Sequence, residues 1–278
     1  MRIHTLILAL AVITDAQGQA VPRPEGHFVS VNGARIYSET YGSPAAMPLV
    51  LLHRFGATAD EWQPLVPALS ANHHLIVWDM RGHGRSSDPD TSLNFRHEQA
   101  ARDLLALLDS LKLTRVQAIG GSSGGIILLY AASLAPDRFD AIVPVGLQLY
   151  SARTTRDWIT HDGPDSADAQ VMEASARLHG PQKAMKLART FWAFRNAYGD
   201  PALTPDRLAR VTARVLIVHG DDDPIVPVSE AWEAYTGIPK ARLWIVPHGR
   251  HLPYLAAANR DDFVRRVTEF LDGKWESH

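Results

Sequence analysis

The sequence predicts an α/β fold: a mostly parallel eight-stranded sheet with helices on both faces and a helical cap inserted after the sixth strand. Three observations carry this expectation. Short runs rich in β-branched residues alternate with longer stretches of helical period, as strands joined by crossover helices require. The central runs are apolar without interruption, so both faces of those strands must be covered. One stretch, residues 147–210, breaks the alternation and shows only helix-like and loop-like sequence.

The elements follow in order. Met1-Arg2-Ile3-His4 leads into an apolar run from Thr5 to Ile13, and Gly18-Gln19-Ala20 places small residues where a signal peptidase reads. Residues 1–20 therefore read as a secretory signal, too short for a permanent membrane anchor. Export to the periplasm or medium follows if the signal is cleaved, and a cytoplasmic location otherwise. Strands are expected at 28–31 and 35–40, split by the hairpin signal Asn32-Gly33. Buried strands are expected at 48–53, 75–79, 116–119, 141–145, 215–218 and 243–246. A helix at 96–113 places Ala100, Leu104, Leu107, Leu108 and Leu111 on one face, and one at 263–271 does so with Phe263, Val267 and Phe270. Within the insertion, the break Gly163-Pro164 precedes an aromatic-rich helix at 182–198 that carries Phe191, Trp192, Phe194 and Tyr198. The core thus comprises 21–146 and 211–278, with 147–210 as a cap. A long insertion between core strands usually covers a site, which makes Trp192 a candidate substrate contact.

Composition excludes several classes. With 46% apolar and 21% charged residues, a chain of 278 buries a sizeable core without covalent staples. The net charge of −2 gives no general attraction to nucleic acid or anionic membrane. Cysteine is absent, which removes disulfides, thiolate nucleophiles and cysteine-based zinc sites. The 13 histidines lack paired metal-ligand spacing, so neither metal nor cofactor is expected.

Residues 115–130 run an apolar strand into Gly120-Gly121-Ser122-Ser123-Gly124-Gly125 and then into a helical apolar stretch. This is G-x-S-x-G in the strand–turn–helix context that a nucleophile elbow needs. The turn strains the serine, and glycines on either side leave room for it. The helix that follows directs its free N–H groups at the serine, that of Ser123 among them, where an oxyanion would develop. A second register, Gly121-x-Ser123-x-Gly125, makes Ser123 the alternative nucleophile. Strand length and the extra glycine favour Ser122.

Acid and base candidates follow two later strands. Among Asp221-Asp222-Asp223, the apolar Ile225-Val226-Pro227 sequence after Asp223-Pro224 argues that Asp223 turns inward. His251 lies beyond the last strand, with His248 as its competitor. The order serine, aspartate, histidine is that of one hydrolytic fold.

Together these residues resemble the α/β-hydrolase superfamily, in its esterase-like serine hydrolase branch, over nearly everything after residue 26. Leu51-Leu52-His53-Arg54-Phe55-Gly56 stands where members usually have H-G-x-G, and Asp79-Met80-Arg81-Gly82-His83-Gly84-Arg85-Ser86 matches the turn after the next strand. The resemblance implies that the N–H of Phe55 is a second oxyanion donor beside that of Ser123, with His53 and His83 structural. It implies hydrolysis of a small or medium-sized carboxylic ester by Ser122, His251 and Asp223. Lactone, carbon–carbon, aminopeptidase and perhydrolase chemistry stay open on the same residues, and a non-catalytic receptor is the reading from another class. Arg54 departs from the family glycine. It distorts the oxyanion region, pairs with an anionic substrate or points to solvent. Leu252, next to His251, is a further candidate substrate contact.

Overall fold

The computed structural model describes residues 23–159, 169–197 and 199–275. The expected signal at 1–20, the Gly163-Pro164 break and Tyr198 lie outside the described residues. Strands β1 (His27–Val31), β2 (Ala34–Tyr41), β3 (Met47–Leu52), β4 (His73–Trp78), β5 (Val116–Gly121), β6 (Phe139–Val145), β7 (Arg214–Gly220) and β8 (Ala241–Val246) form one sheet in the order β1-β2-β4-β3-β5-β6-β7-β8. All eight match expected runs, and β2 pairs antiparallel with both neighbours while β3 to β8 run parallel. The β1–β2 hairpin turns through Asn32 and Gly33 with φ of 46° and 77°, the two positive values that this tight turn requires.

Among the described residues the helices are α1 (Val66–Ser70), α2 (His97–Ser110), α3 (Ser123–Leu134), α4 (Arg153–Ile159), α5 (Ala169–His179), α6 (Pro181–Ala193), α7 (Pro205–Ala209), α8 (Val228–Gly237) and α9 (Ala257–Leu271). Helix α2 stops short of the expected 113 because Lys112 turns left-handed at φ 58° and Leu113 N–H returns to the Leu108 carbonyl, a common C-terminal cap. The expected helix at 182–198 ends earlier as well, α6 passing into a tight turn over Phe194–Asn196.

Strand alternation divides the core between the two faces of the sheet. Val50, Leu52, Ile76 and Trp78 pack with α2 and α3 on one side. Leu49, Leu51, Leu75 and Val77 pack with Trp62, α1 and α9 on the other. Helix α3 is buried along nearly its whole length and has no polar face, which is why it reads as an apolar run rather than an amphipathic pattern. Between β6 and β7 the described residues hold α4 to α7 and no strand. Parallel registers bring Leu52 opposite Gly120, Gly121 opposite Val145 and Gly220 opposite Val246. The loops after β3, β5, β7 and β8 therefore converge on the carboxyl edge, where α/β proteins build their sites.

Candidate active site

The chain turns sharply at Ser122, whose φ of 50° and ψ of −117° lie outside the regions a serine adopts freely. Its N–H donates to the Val145 carbonyl at 2.8 Å, which ties the turn to β6. The flanking glycines are demanded by close approach. A Cβ on Gly120 would lie 2.5 Å from the Gly124 backbone, and one on Gly124 would lie 2.4 Å from the Leu52 carbonyl. Ser123 opens α3 instead of occupying the turn, so the side chain at the apex is that of Ser122.

Ser122 Oγ lies 2.9 Å from His251 Nε2, and His251 Nδ1 lies 2.7 Å from Asp223 Oδ2. With Nδ1–H donating to the carboxylate, Nε2 is left to accept the serine proton. The other Asp223 oxygen accepts the N–H groups of Ile225 at 2.8 Å and Val226 at 3.0 Å. Burial pushes this carboxyl up, but the His251 hydrogen bond and charge, together with those two donors, outweigh it and hold Asp223 below its ordinary value. Asp221 and Asp222 are exposed, and the His248 side chain is 94% exposed. Such a chain of hydroxyl, imidazole and carboxylate can move a proton off the serine as it attacks.

The loop after β3 faces the elbow. The Phe55 N–H has no hydrogen-bond acceptor among the described residues, and the Ser123 N–H is one of those a helix start leaves free. Two buried histidines fix the carbonyls on either side of Phe55. His53 Nε2 accepts the Met80 N–H at 3.0 Å, so its Nδ1–H donates to the Arg54 carbonyl at 2.7 Å. His179, at the end of α5, accepts the Gly84 N–H at 2.8 Å and donates to the Gly56 carbonyl at 3.1 Å. Burial lowers His53 to about 4 and lowers His179 too, so both rings serve as neutral donor–acceptor struts.

Arg54 is accounted for by Glu61. Its guanidinium pairs with one carboxylate oxygen, its N–H lies 3.3 Å from the other, and the Tyr254 hydroxyl donates to that second oxygen at 2.7 Å. The side chain of Arg54 is 19% exposed and that of Glu61 is 1% exposed, which corrects the solvent-facing option. Arg54 is also absent from the left-handed residues, so the backbone needs no glycine there and the distortion option falls as well.

The Phe55 ring sits in an aromatic cluster, edge-on to His83 at 4.8 Å, Phe194 at 4.9 Å and Phe95 at 5.3 Å, and stacked on Phe191 at 6.0 Å. The insertion thus contributes Phe191 and Phe194. Trp192 instead lies under the Arg195 guanidinium at 3.4 Å and is not brought to this cluster. Leu252 is buried behind the elbow, with its Cδ2 3.3 Å from where a Gly121 Cβ would stand. A cleft of 640 Å³ lies on the far side of Phe55, against Phe95, Leu187, Thr190, Asp88, Lys183 and Lys186, and Ser122, Asp223 and His251 do not line it. Sequence reasoning missed Glu61, Tyr254, His97, His179 and Asp200, none of which stands in a motif of its own.

Fold and site define a class, and comparison with known proteins bears on it directly. A sequence model described as alpha/beta hydrolase fold matches residues 47–191, and the chain belongs to that family. It is 29% identical over 255 residues to the serine hydrolase BPHL of Homo sapiens, covering 87% of this chain and 85% of that protein. A 2-hydroxy-6-oxo-6-(2'-aminophenyl)hexa-2,4-dienoic acid hydrolase of Metapseudomonas resinovorans is 24% identical, covering 87% of this chain and 89% of its own length. Among solved structures, the esterase RhEst1 from Rhodococcus sp. ECU1013 matches with a TM-score of 0.69 at 26% identity, over 89% of this chain and 98% of that one. The protein is accordingly an enzyme of the hydrolytic α/β-hydrolase class. Among the described residues, no helix is long and apolar enough to cross a membrane.

Proposed function

We propose that the protein hydrolyses carboxylic esters of small or medium-sized acids through an acyl-enzyme on Ser122. The observation that carries this reading is the continuous chain from Ser122 Oγ through His251 to Asp223, with the serine at the apex of the elbow. His251 Nε2 takes the hydroxyl proton as Oγ adds to the ester carbonyl. The N–H groups of Phe55 and Ser123 receive the oxyanion, and Asp223 stabilises the imidazolium. The imidazolium returns the proton to the departing alkoxide, leaving the acyl group on Oγ. Water, deprotonated by the same imidazole, then releases the acid. Rings of Phe55, Phe95, Phe191 and Phe194 favour an apolar acyl or alcohol group, and the likeness to the Rhodococcus esterase supports the bond type. Lactones and dienoic acids belong in the same trial because one triad serves several bonds.

Turnover of p-nitrophenyl esters of graded chain length tests the proposal. Activity is expected on short and medium esters, with kcat falling by about 10⁴ or more in Ser122→Ala. Ester turnover that survives Ser122→Ala unchanged would contradict it.

A further inference from the structure

Beside the elbow serine lies a second chain of hydroxyl, imidazole and carboxylate. Ser123 Oγ is 3.0 Å from His97 Nε2, and His97 Nδ1 is 3.0 Å from Asp200 Oδ2. The same Asp200 oxygen accepts the His97 backbone N–H at 2.9 Å, so one carboxylate oxygen caps the start of α2 and orients its first side chain. With Nδ1–H committed to Asp200, Nε2 is the acceptor and the Ser123 hydroxyl donates to it. Ser123 and His97 are buried, so little water competes for these bonds. The ring of His97 is further held by Phe95 at 5.2 Å and Phe194 at 5.9 Å.

Asp200 comes from the inserted segment, whose return to the core is itself anchored. Ala202 N–H donates at 2.7 Å to the hydroxyl of Tyr130 on α3, and Leu203 N–H donates at 2.9 Å to the Leu149 carbonyl. The chain therefore joins a fixed point of the insertion to the residue after the elbow serine. That position has a particular mechanical value. The peptide between Ser122 and Ser123 carries the Ser123 N–H, and its tilt follows from the strained ψ of −117° at Ser122. A strained conformation persists only where its surroundings overdetermine it. A side-chain tether one residue on supplies such a constraint.

We propose that His97 and Asp200 are positioning residues for Ser123, through which the inserted segment sets the direction of the Ser123 N–H toward the oxyanion. The proposal rests on the hydrolase reading above. Ser123 contributes its N–H to the transition state, and its hydroxyl serves only to hold that N–H in place. The effect belongs to kcat and not to KM, because the donor engages the tetrahedral state more strongly than the planar ester.

The test compares Ser123→Ala, Asp200→Ala and Asp200→Asn in ester turnover and in affinity for a trifluoromethyl ketone, whose hemiketal oxyanion occupies the same hole. Ser123→Ala and Asp200→Ala are each expected to lose about tenfold in kcat and about tenfold in inhibitor affinity, with KM nearly constant. Asp200→Asn keeps an oxygen for both His97 donors and is expected to restore kcat to within about twofold of wild type. The Ser123→Ala/Asp200→Ala double variant is expected to lose no more than either single change, because both cut one chain. Fluorophosphonate labelling of Ser122 in the wild type runs alongside. A wild type that is labelled and active, beside a Ser123→Ala variant equal to it in kcat and inhibitor affinity, would overturn this proposal alone. A wild type that takes no label and turns over no ester would overturn the hydrolase reading and this proposal with it.

Discussion

Arg54 shows how far a single residue was open to reading. Its sequence position beside the oxyanion donor suggested distortion, a substrate contact or exposure, and the structure provides a partner seven residues on. Glu61 is almost wholly buried, and Arg54 and Tyr254 both bond to it. Removing the guanidinium leaves a buried carboxylate short of its cation, which costs about 3–5 kcal/mol in comparable pairs. Arg54→Ala is therefore expected to lower the urea midpoint substantially, and Glu61→Gln added to it is expected to recover much of the loss. A midpoint unchanged in Arg54→Ala would show that the pair contributes nothing. Ser122, Asp223 and His251 were legible because each sits in a local pattern: glycines around a turn, an apolar run after an acid, a histidine past a strand. His179, Asp200 and the bond of Tyr254 to Glu61 were not, because each depends on contact across 123, 103 and 193 positions of chain respectively.

At the scale of elements, the strands were read with their order along the chain, since β-branched and aliphatic runs buried on both faces leave little ambiguity. Helix α8 (Val228–Gly237) was not read, because only Glu230, Ala231 and Ala234 are buried along it and small residues give a faint stripe. The insertion was read as helical, yet the residues that tie it to the site were not. His179 ends α5 and grips both Gly56 and Gly84, joining this helix to the loop that carries Phe55. His179→Ala is expected to lower kcat about tenfold by loosening that loop, with KM changed far less. His179→Gln, which offers a donor and an acceptor, is expected to recover part of it. Equal losses in both variants, or a loss confined to KM, would argue against this coupling.

The whole molecule records its buried imidazoles in the pH dependence of stability. His53, His83, His179 and His219 are all lowered from 6.5, chiefly by burial, with His53 at about 4. Between those limits the unfolded chain binds protons that the folded one does not, so stability falls as pH falls from 6.5 toward 4. His53 alone accounts for about 3 kcal/mol of that fall. Glu230 acts in the opposite sense. Burial raises it from 4.5 to about 7, so its contribution is fully present below 4.5 and lost as pH rises through 7. Glu230→Gln is accordingly expected to exceed wild type by about 3 kcal/mol at pH 8, to match it near pH 4, and to show a steeper rise between. Urea titrations across this range check both signs, and a wild type more stable at pH 4 than at pH 6.5 would contradict the histidine assignment.

All of these expectations surround one chemical claim, that Ser122 is the nucleophile. Intact-mass analysis after treatment with a fluorophosphonate tests it most directly. One adduct per chain is predicted, mapped to the peptide that contains Ser122, absent in Ser122→Ala and strongly slowed in a His251→Ala variant that still folds. An unlabelled wild type, or an adduct that persists in Ser122→Ala, would contradict the account.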